Sequence, residues 1–166
     1  MGKKNFLVEG SSGSGKSSVW EELLRRGYGA VNGDRELAYM GDPMTGEKVD
    51  NGGHEHWIWD VEKVRRLAAN QADDFTFFCG GSRNHFQFID LFDAVFILDV
   101  DPDTLIHRLD SRTNNDTGKS KSEQELILRV HATKEDLPSR GIVVDATQPL
   151  DSVVDEILRH AGANRR

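Results

Sequence analysis

The sequence predicts an α/β fold, a parallel sheet covered on both faces by helices. Three observations carry it. Short and almost wholly apolar runs, such as Phe75–Cys79 (FTFFC) and Ala94–Val100 (AVFILDV), read as strands buried on both faces. Segments with apolar residues at helical spacing separate them, which suits crossover connections between parallel strands. A Gly/Ser-rich loop ending in Gly-Lys-Ser-Ser joins the first strand to the first helix. The 166 residues suit a single domain spanning 1–166. A chain of that length buries roughly 70% of its unfolded surface and needs no covalent staples.

Asn5–Glu9 is the first predicted strand. Lys16–Arg26 is the first helix, with Val19, Trp20, Leu23 and Leu24 on one side and Gly27 as its stop. Tyr28–Asn32, Phe75–Cys79, Ala94–Val100 and Gly141–Asp145 are the remaining strands. Trp57–Asn70 reads as a helix, with Trp57, Val61, Val64 and Ala68 at helical spacing. Pro102–Arg112 opens on a proline behind the capping Asp101, and Glu123–Glu135 and Leu150–His160 complete the helices. The end of the chain, residues 162–166, is expected to fray. Two stretches break this alternation. Asn32–His56 is long and rich in Gly and Asp, and Asp110–Glu125 has no apolar side chain. Segments of this kind are functional loops or disorder.

A net charge of −7 argues against general nucleic-acid binding, which needs a basic surface. The single cysteine, Cys79, excludes an intrachain disulfide and reads as a small core residue. No apolar run approaches the length of a membrane span, and the N-terminus lacks a signal-peptide pattern, so a cytoplasmic protein is the expectation. No apolar stripe selects an oligomeric state, and monomer and homodimer both stand.

Gly10-Ser11-Ser12-Gly13-Ser14-Gly15-Lys16-Ser17 matches G-x-x-x-x-G-K-[ST] in full, with the required strand before it and helix after it. The glycines let successive N–H groups turn inward toward an anion, and the positive end of the helix points the same way. Lys16 can reach β- and γ-phosphates. Ser17 can ligate Mg²⁺, and Ser18 completes the phosphate-binding set. The expected ligand is ATP with Mg²⁺.

Three further stretches point to phosphoryl transfer. Asp34 and Arg35 in AVNGDRE follow the second strand, at the strand end where such sheets bind ligands. Asp34 can orient an acceptor hydroxyl, take its proton or hold Mg²⁺ through water. Asn32-Gly33-Asp34 is also compatible with a plain turn. Gly80-Gly81-Ser82-Arg83 follows the third strand, where paired glycines allow close approach to a ligand and Arg83 can grip an anionic group. The polar segment of about 110–125, following Arg108 and containing Arg112, Lys119 and Lys121, can close over the nucleotide as a lid.

With these motifs in place, the chain resembles the small P-loop kinases of the nucleoside monophosphate kinase superfamily, in particular the shikimate and gluconate kinase branch. GSSGSGKSS resembles the Walker A, NGDRE the acceptor motif, CGGS the glycine motif and RLDSRTNNDTGKS the lid. The resemblance implies a three-layer α/β/α fold with a five-stranded parallel sheet in the order 2-3-1-4-5. It places Arg112 near adenine and Lys119 where a catalytic arginine is often found. The acceptor-binding insertion is expected over about 35–70. Asp42–Asp60 does not carry the acceptor-binding residues of either named enzyme, so the acceptor is not transferred. Trp59 reads as a pocket wall or as core. His54 and His56 alone are a poor metal site. Lys48 is the only lysine or arginine between Glu36 and Glu62, so a small hydroxyl-bearing metabolite or nucleoside is the expected acceptor. A nucleoside monophosphate kinase, or a regulatory nucleotide-binding module with slow hydrolysis, are the alternatives.

Overall fold

The computed structural model describes residues 4–10, 14–70, 73–110 and 141–163. In chain order its elements are β1 (Lys4–Gly10), α1 (Lys16–Arg25), β2 (Gly29–Asn32), the one-turn α2 (Gly33–Glu36), β3 (Ala38–Met40), β4 (Trp57–Trp59), α3 (Val61–Ala69), β5 (Phe75–Cys79), β6 (Ala94–Asp99), α4 (Pro102–Asp110), β7 (Ile142–Asp145) and α5 (Leu150–Ala161). The five apolar runs form one sheet in the order β2-β5-β1-β6-β7, with every neighbouring pair parallel. Counted along the predicted strands this is 2-3-1-4-5, as the resemblance implied. The predicted lid and the Glu123–Glu135 helix lie outside the described residues.

Side chains alternate across a strand, and here both sides are buried. Phe6 and Val8 of β1 pack with Phe77, Cys79, Phe96 and Leu98 against α1 (Val19, Leu23) and α5 (Val153, Val154, Ile157). Leu7, Val31 and Phe78 face the other layer, against Val64 of α3 and the aromatic group Trp59, Phe88 and Phe92. The register sets Val8 and Asn32 level with Cys79. The loops that follow β1, β2 and β5 therefore leave the sheet at one edge.

The region between β2 and α3 departs from expectation. Trp57 does not begin a helix. Trp57–Trp59 is a strand, antiparallel to Ala38–Met40, with Trp57 opposite Met40. The helix starts only at Val61, because the Asp60 side chain accepts the N–H groups of Glu62 (3.1 Å) and Lys63 (3.2 Å) and so caps it there. Part of the long Asn32–His56 stretch is likewise ordered as α2 and β3.

Trp59 is 1% exposed and its ring stacks on Phe88, with centroids 5.6 Å apart. Asn84 holds its backbone from both sides: Trp59 N–H donates to Asn84 Oδ1 and Asn84 Nδ2 donates to Trp59 O, each at 3.0 Å. The indole fills the space that two missing side chains would need. A Cβ on Gly33 would lie 2.7 Å from Trp59 Cε2, and one on Gly80 would lie 2.9 Å from Cζ2. Gly33→Ala is expected to destabilise the protein by about 1–3 kcal/mol through overpacking. Trp59→Leu in that background should recover part of the loss. Urea denaturation of the double-mutant cycle measures both.

On the opposite layer Glu22 of α1 accepts hydrogen bonds from Arg25 Nε and Arg26 Nε, each at 2.8 Å. Arg26 Nη1 also reaches Asp155 Oδ1 of α5 at 2.7 Å. Arg25 first, then Arg26, holds the Glu22 carboxyl down at about 2. A carboxyl with a lowered folded-state pKa stabilises above its unfolded value of about 4.3 and loses that contribution as pH falls toward the folded value. Glu22→Gln should flatten the acid limb of a stability–pH curve between about pH 2 and 5.

Candidate active site

The phosphate-binding loop begins where β1 runs out. A Cβ on Gly10 would lie 2.9 Å from Leu98 O and would strike Ser14 Oγ, so glycine alone permits the chain to fold back here. Gly15 has φ +108°, in the left-handed region that glycine adopts freely. It turns the loop into α1, where Val19 N–H bonds Gly15 O at 3.0 Å. Lys16 lies in the first turn, and its Nζ donates to Gly10 O across the loop mouth. Ser17 and Ser18 follow it, exposed. Ser14 is 2% exposed, and its Oγ has no hydrogen-bond partner among the described residues. Arg108 of α4 clamps the loop, donating to Ser14 O at 3.1 Å and to Ala146 O at 2.7 Å. Its place is thus on the phosphate-loop backbone. Ser11, Ser12, Gly13, Arg112 and Lys119 lie outside the described residues.

Asp34 is set by a local capping arrangement. Asn32 Oδ1 accepts Arg35 N–H at 3.3 Å, and Glu36 Oε2 accepts Asn32 N–H at 2.6 Å. This reciprocal pair resembles a capping box and starts α2 at the end of β2. Asp34 and Arg35 are exposed there. Asp34 Oδ1 lies 2.9 Å from the point a Cβ on Gly80 would occupy, and Gly80 has φ +145°. The carboxylate and the glycine loop therefore approach closely because neither strand end carries an intervening side chain.

Gly81 faces the phosphate side of the same gap. A Cβ there would lie 3.4 Å from Glu9 Oε1 and 4.0 Å from Lys16 Nζ. Ser82 is 5% exposed, with an Oγ that has no partner among the described residues. The Arg83 N–H donates to Trp57 O at 2.8 Å, tying the glycine loop to the β3–β4 hairpin. Cys79 lies beneath this edge. Burial pushes its thiol pKa up strongly, Asp34 adds to the rise, and Lys16 opposes it. A thiol so held stays protonated and is no nucleophile.

Sequence reasoning missed two side chains of this edge. Glu9, 1% exposed, ends an otherwise apolar strand; a charge in NFLVEG was the available signal. His85 Nδ1 lies 3.2 Å from Ser82 O and 3.9 Å from Glu9 Oε2. Trp59 stands behind the glycines in the core and meets the site through their backbones. His56 Nδ1 accepts Gly53 N–H at 3.2 Å. Among the described residues no three His, Cys, Asp or Glu side chains form a metal cage. The hydroxyl and carboxylate donors of Ser17 and Asp34 suit a hard cation that keeps most of its ligands from phosphate and water.

Residues 7–129 match the family model AAA_18, an AAA domain. No curated protein matches the chain. Among solved structures, shikimate kinase from Bacteroides thetaiotaomicron is similar at a TM-score of 0.66 and 13% identity, over 96% of this chain and 98% of that one. A gluconokinase from Sinorhizobium meliloti 1021 gives 0.60 at 21% identity, over 96% and 91%. Deoxyadenosine kinase from M. mycoides, solved with bound dATP, gives 0.53 at 16% identity, over 95% and 98%. The chain belongs to the AAA_18 family of P-loop domains and carries the fold of the small P-loop kinases in the shikimate and gluconate kinase branch.

Proposed function

We propose that the protein transfers the γ-phosphoryl group of ATP to a hydroxyl of a small molecule. The observation that carries this reading is the convergence at the end of β5: the Lys16 ammonium and the Asp34 carboxylate lie on either side of Gly80-Gly81. An ammonium in a phosphate loop beside an exposed carboxylate is what moving a phosphoryl group to an alcohol requires. Lys16 and the N–H groups of the loop hold the β- and γ-phosphates and stabilise charge that builds on them. Asp34 orients the acceptor hydroxyl and takes its proton as the new P–O bond forms. Arg83 anchors the acceptor, and Arg35 stands at the same strand edge. Ser17 and Asp34 are the residues that would hold Mg²⁺, which when bound neutralises phosphate oxygens. The similar structures carry kinases named for a cyclic acid, a sugar acid and a nucleoside, all of them hydroxyl acceptors. That supports an alcohol acceptor in preference to a phosphate.

The test is transfer of labelled γ-phosphate from ATP into a fractionated metabolite extract. A labelled organic product is expected from the wild type and is absent with Lys16→Ala. Label released only as inorganic phosphate, at one rate with and without extract, overturns the kinase reading in favour of a slow hydrolase. Once an acceptor is in hand, Asp34→Asn should lower kcat by about 10²–10⁴-fold with the melting temperature retained. Arg83→Ala should act mainly on the acceptor KM.

A further inference from the structure

The glycine loop after β5 does not end at Arg83. It runs on to Gln87 and is tied to the hairpin side at successive points. Arg83 N–H donates to Trp57 O at 2.8 Å, Asn84 exchanges hydrogen bonds with the Trp59 backbone, and Gln87 Nε2 donates to Pro43 O. Phe86 stands between the last two ties, in the single helical turn His85–Gln87. It is 51% exposed, while every other phenylalanine is buried or half-buried. Phe88, two residues on, goes into the core against Trp59.

Met44 follows Pro43 on the other side of the Gln87–Pro43 bond, and it is 75% exposed. Its chain is held too. Asp42 Oδ1 accepts the N–H groups of Met44 (2.8 Å) and Thr45 (3.3 Å), and Asp42 N–H donates to Glu47 O at 2.9 Å. Large apolar side chains held in water on ordered backbone, beside a candidate site, mark a surface that a ligand covers.

The charges around this surface say what kind of ligand. Residues 41–56 carry Asp42, Glu47, Asp50 and Glu55, and Lys48 is the one lysine or arginine among them. Carboxylates gathered on one side of a site repel an anionic acceptor, and an uncharged one escapes that cost. A sugar alone offers little apolar area to an aromatic ring, whereas a planar ring can stack on it.

We propose that the acceptor is an uncharged hydroxyl compound bearing a planar ring, of the nucleoside class, whose ring stacks on Phe86 with Met44 at its margin. Arg83 donates to a carbonyl or ring nitrogen of that ligand, and its hydroxyl meets Asp34 at the Gly80 end of the same loop. The acceptor oxygen bonds to the γ-phosphorus as the bond to the bridging β–γ oxygen breaks. The hydroxyl proton goes to Asp34 and ADP leaves. Phe86 is here a specificity-determining residue. The inference rests on the kinase reading above and narrows its acceptor.

The experiment gives the full chain labelled ATP and Mg²⁺ with separate probe sets: the common nucleosides, neutral sugars, and the hydroxy acids shikimate and gluconate. Label is expected in a phosphorylated nucleoside and in neither other set. Phe86→Ala should raise the KM for that nucleoside by about tenfold or more, with kcat near the wild-type value. Phe86→Leu, apolar without a planar face, should fall between the two. Phe86 is exposed, so both variants should keep the wild-type melting temperature. Label in a sugar or hydroxy acid and in no nucleoside overturns the proposal and leaves the kinase reading standing. A nucleoside KM unmoved by Phe86→Ala overturns it as well. So does a wild-type dimer that sediments as a monomer after Phe86→Ala, which assigns the surface to a second copy of the chain. Transfer to no probe at all also overturns it, and the extract assay above then decides the kinase reading by itself.

Discussion

The working edge of this protein depends on how closely side chains can approach its glycine backbone. Gly10, Gly33 and Gly80 each stand where a Cβ would strike a neighbouring side chain, Ser14, Trp59 or Asp34, and Gly81 has Glu9 and Lys16 at contact distance. Lys16 and Asp34 start from different strand ends. Asp34 comes close to the end of β5 because Gly80 carries no side chain there, and Lys16 stands near the following Gly81. The parallel sheet supplies the rest, since β1, β2 and β5 all end at one edge and their loops must share it.

That closeness makes electrostatics decisive. The chain is acidic overall, with a net charge of −7, and yet carries a loop built for a polyanion. Attraction must therefore be local, and among the described residues Lys16 and the start of α1 supply it. Arg108 contributes differently. Its guanidinium is spent on the carbonyls of Ser14 and Ala146, so it fixes loop shape and ties the phosphate loop to the turn after β7. On the proposed kinase reading, a loop fixed in this way holds its donors in place, so they need no reorganisation when charge develops.

The strands and the phosphate loop were legible in the sequence because each has a strong local signal, and the strand order came through the family resemblance. Apolar runs such as FTFFC cannot be solvent-facing strands, and the lysine motif demands a strand–loop–helix setting. Trp57 was misread for a physical reason. Trp57, Val61 and Val64 have helical spacing, but the Asp60 cap between them allows the helix to start only afterwards, and the run Trp57-Ile58-Trp59 pairs instead with Ala38-Tyr39-Met40. Glu9 and His85 escaped because their roles come from tertiary neighbours. Nothing in NFLVEG or RNHFQ states that His85 Nδ1 lies 3.9 Å from Glu9 Oε2.

Fold similarity to kinases at 13–21% identity does not choose an acceptor, because function resides in the site grafted on the fold. The glycine loop after β5 and the β3–β4 hairpin are built as one unit beside Asp34. Arg83 is bonded through its backbone to Trp57, Asn84 through its side chain to Trp59, and Gln87 to Pro43 O, so the glycine loop and the hairpin are joined at successive points. Trp59 then locks that unit against Gly33 and the start of α2. On the proposed kinase reading, an edge joined in this way gives acceptor discrimination to groups held on it, Asp34 and Arg83, rather than to a freely moving loop.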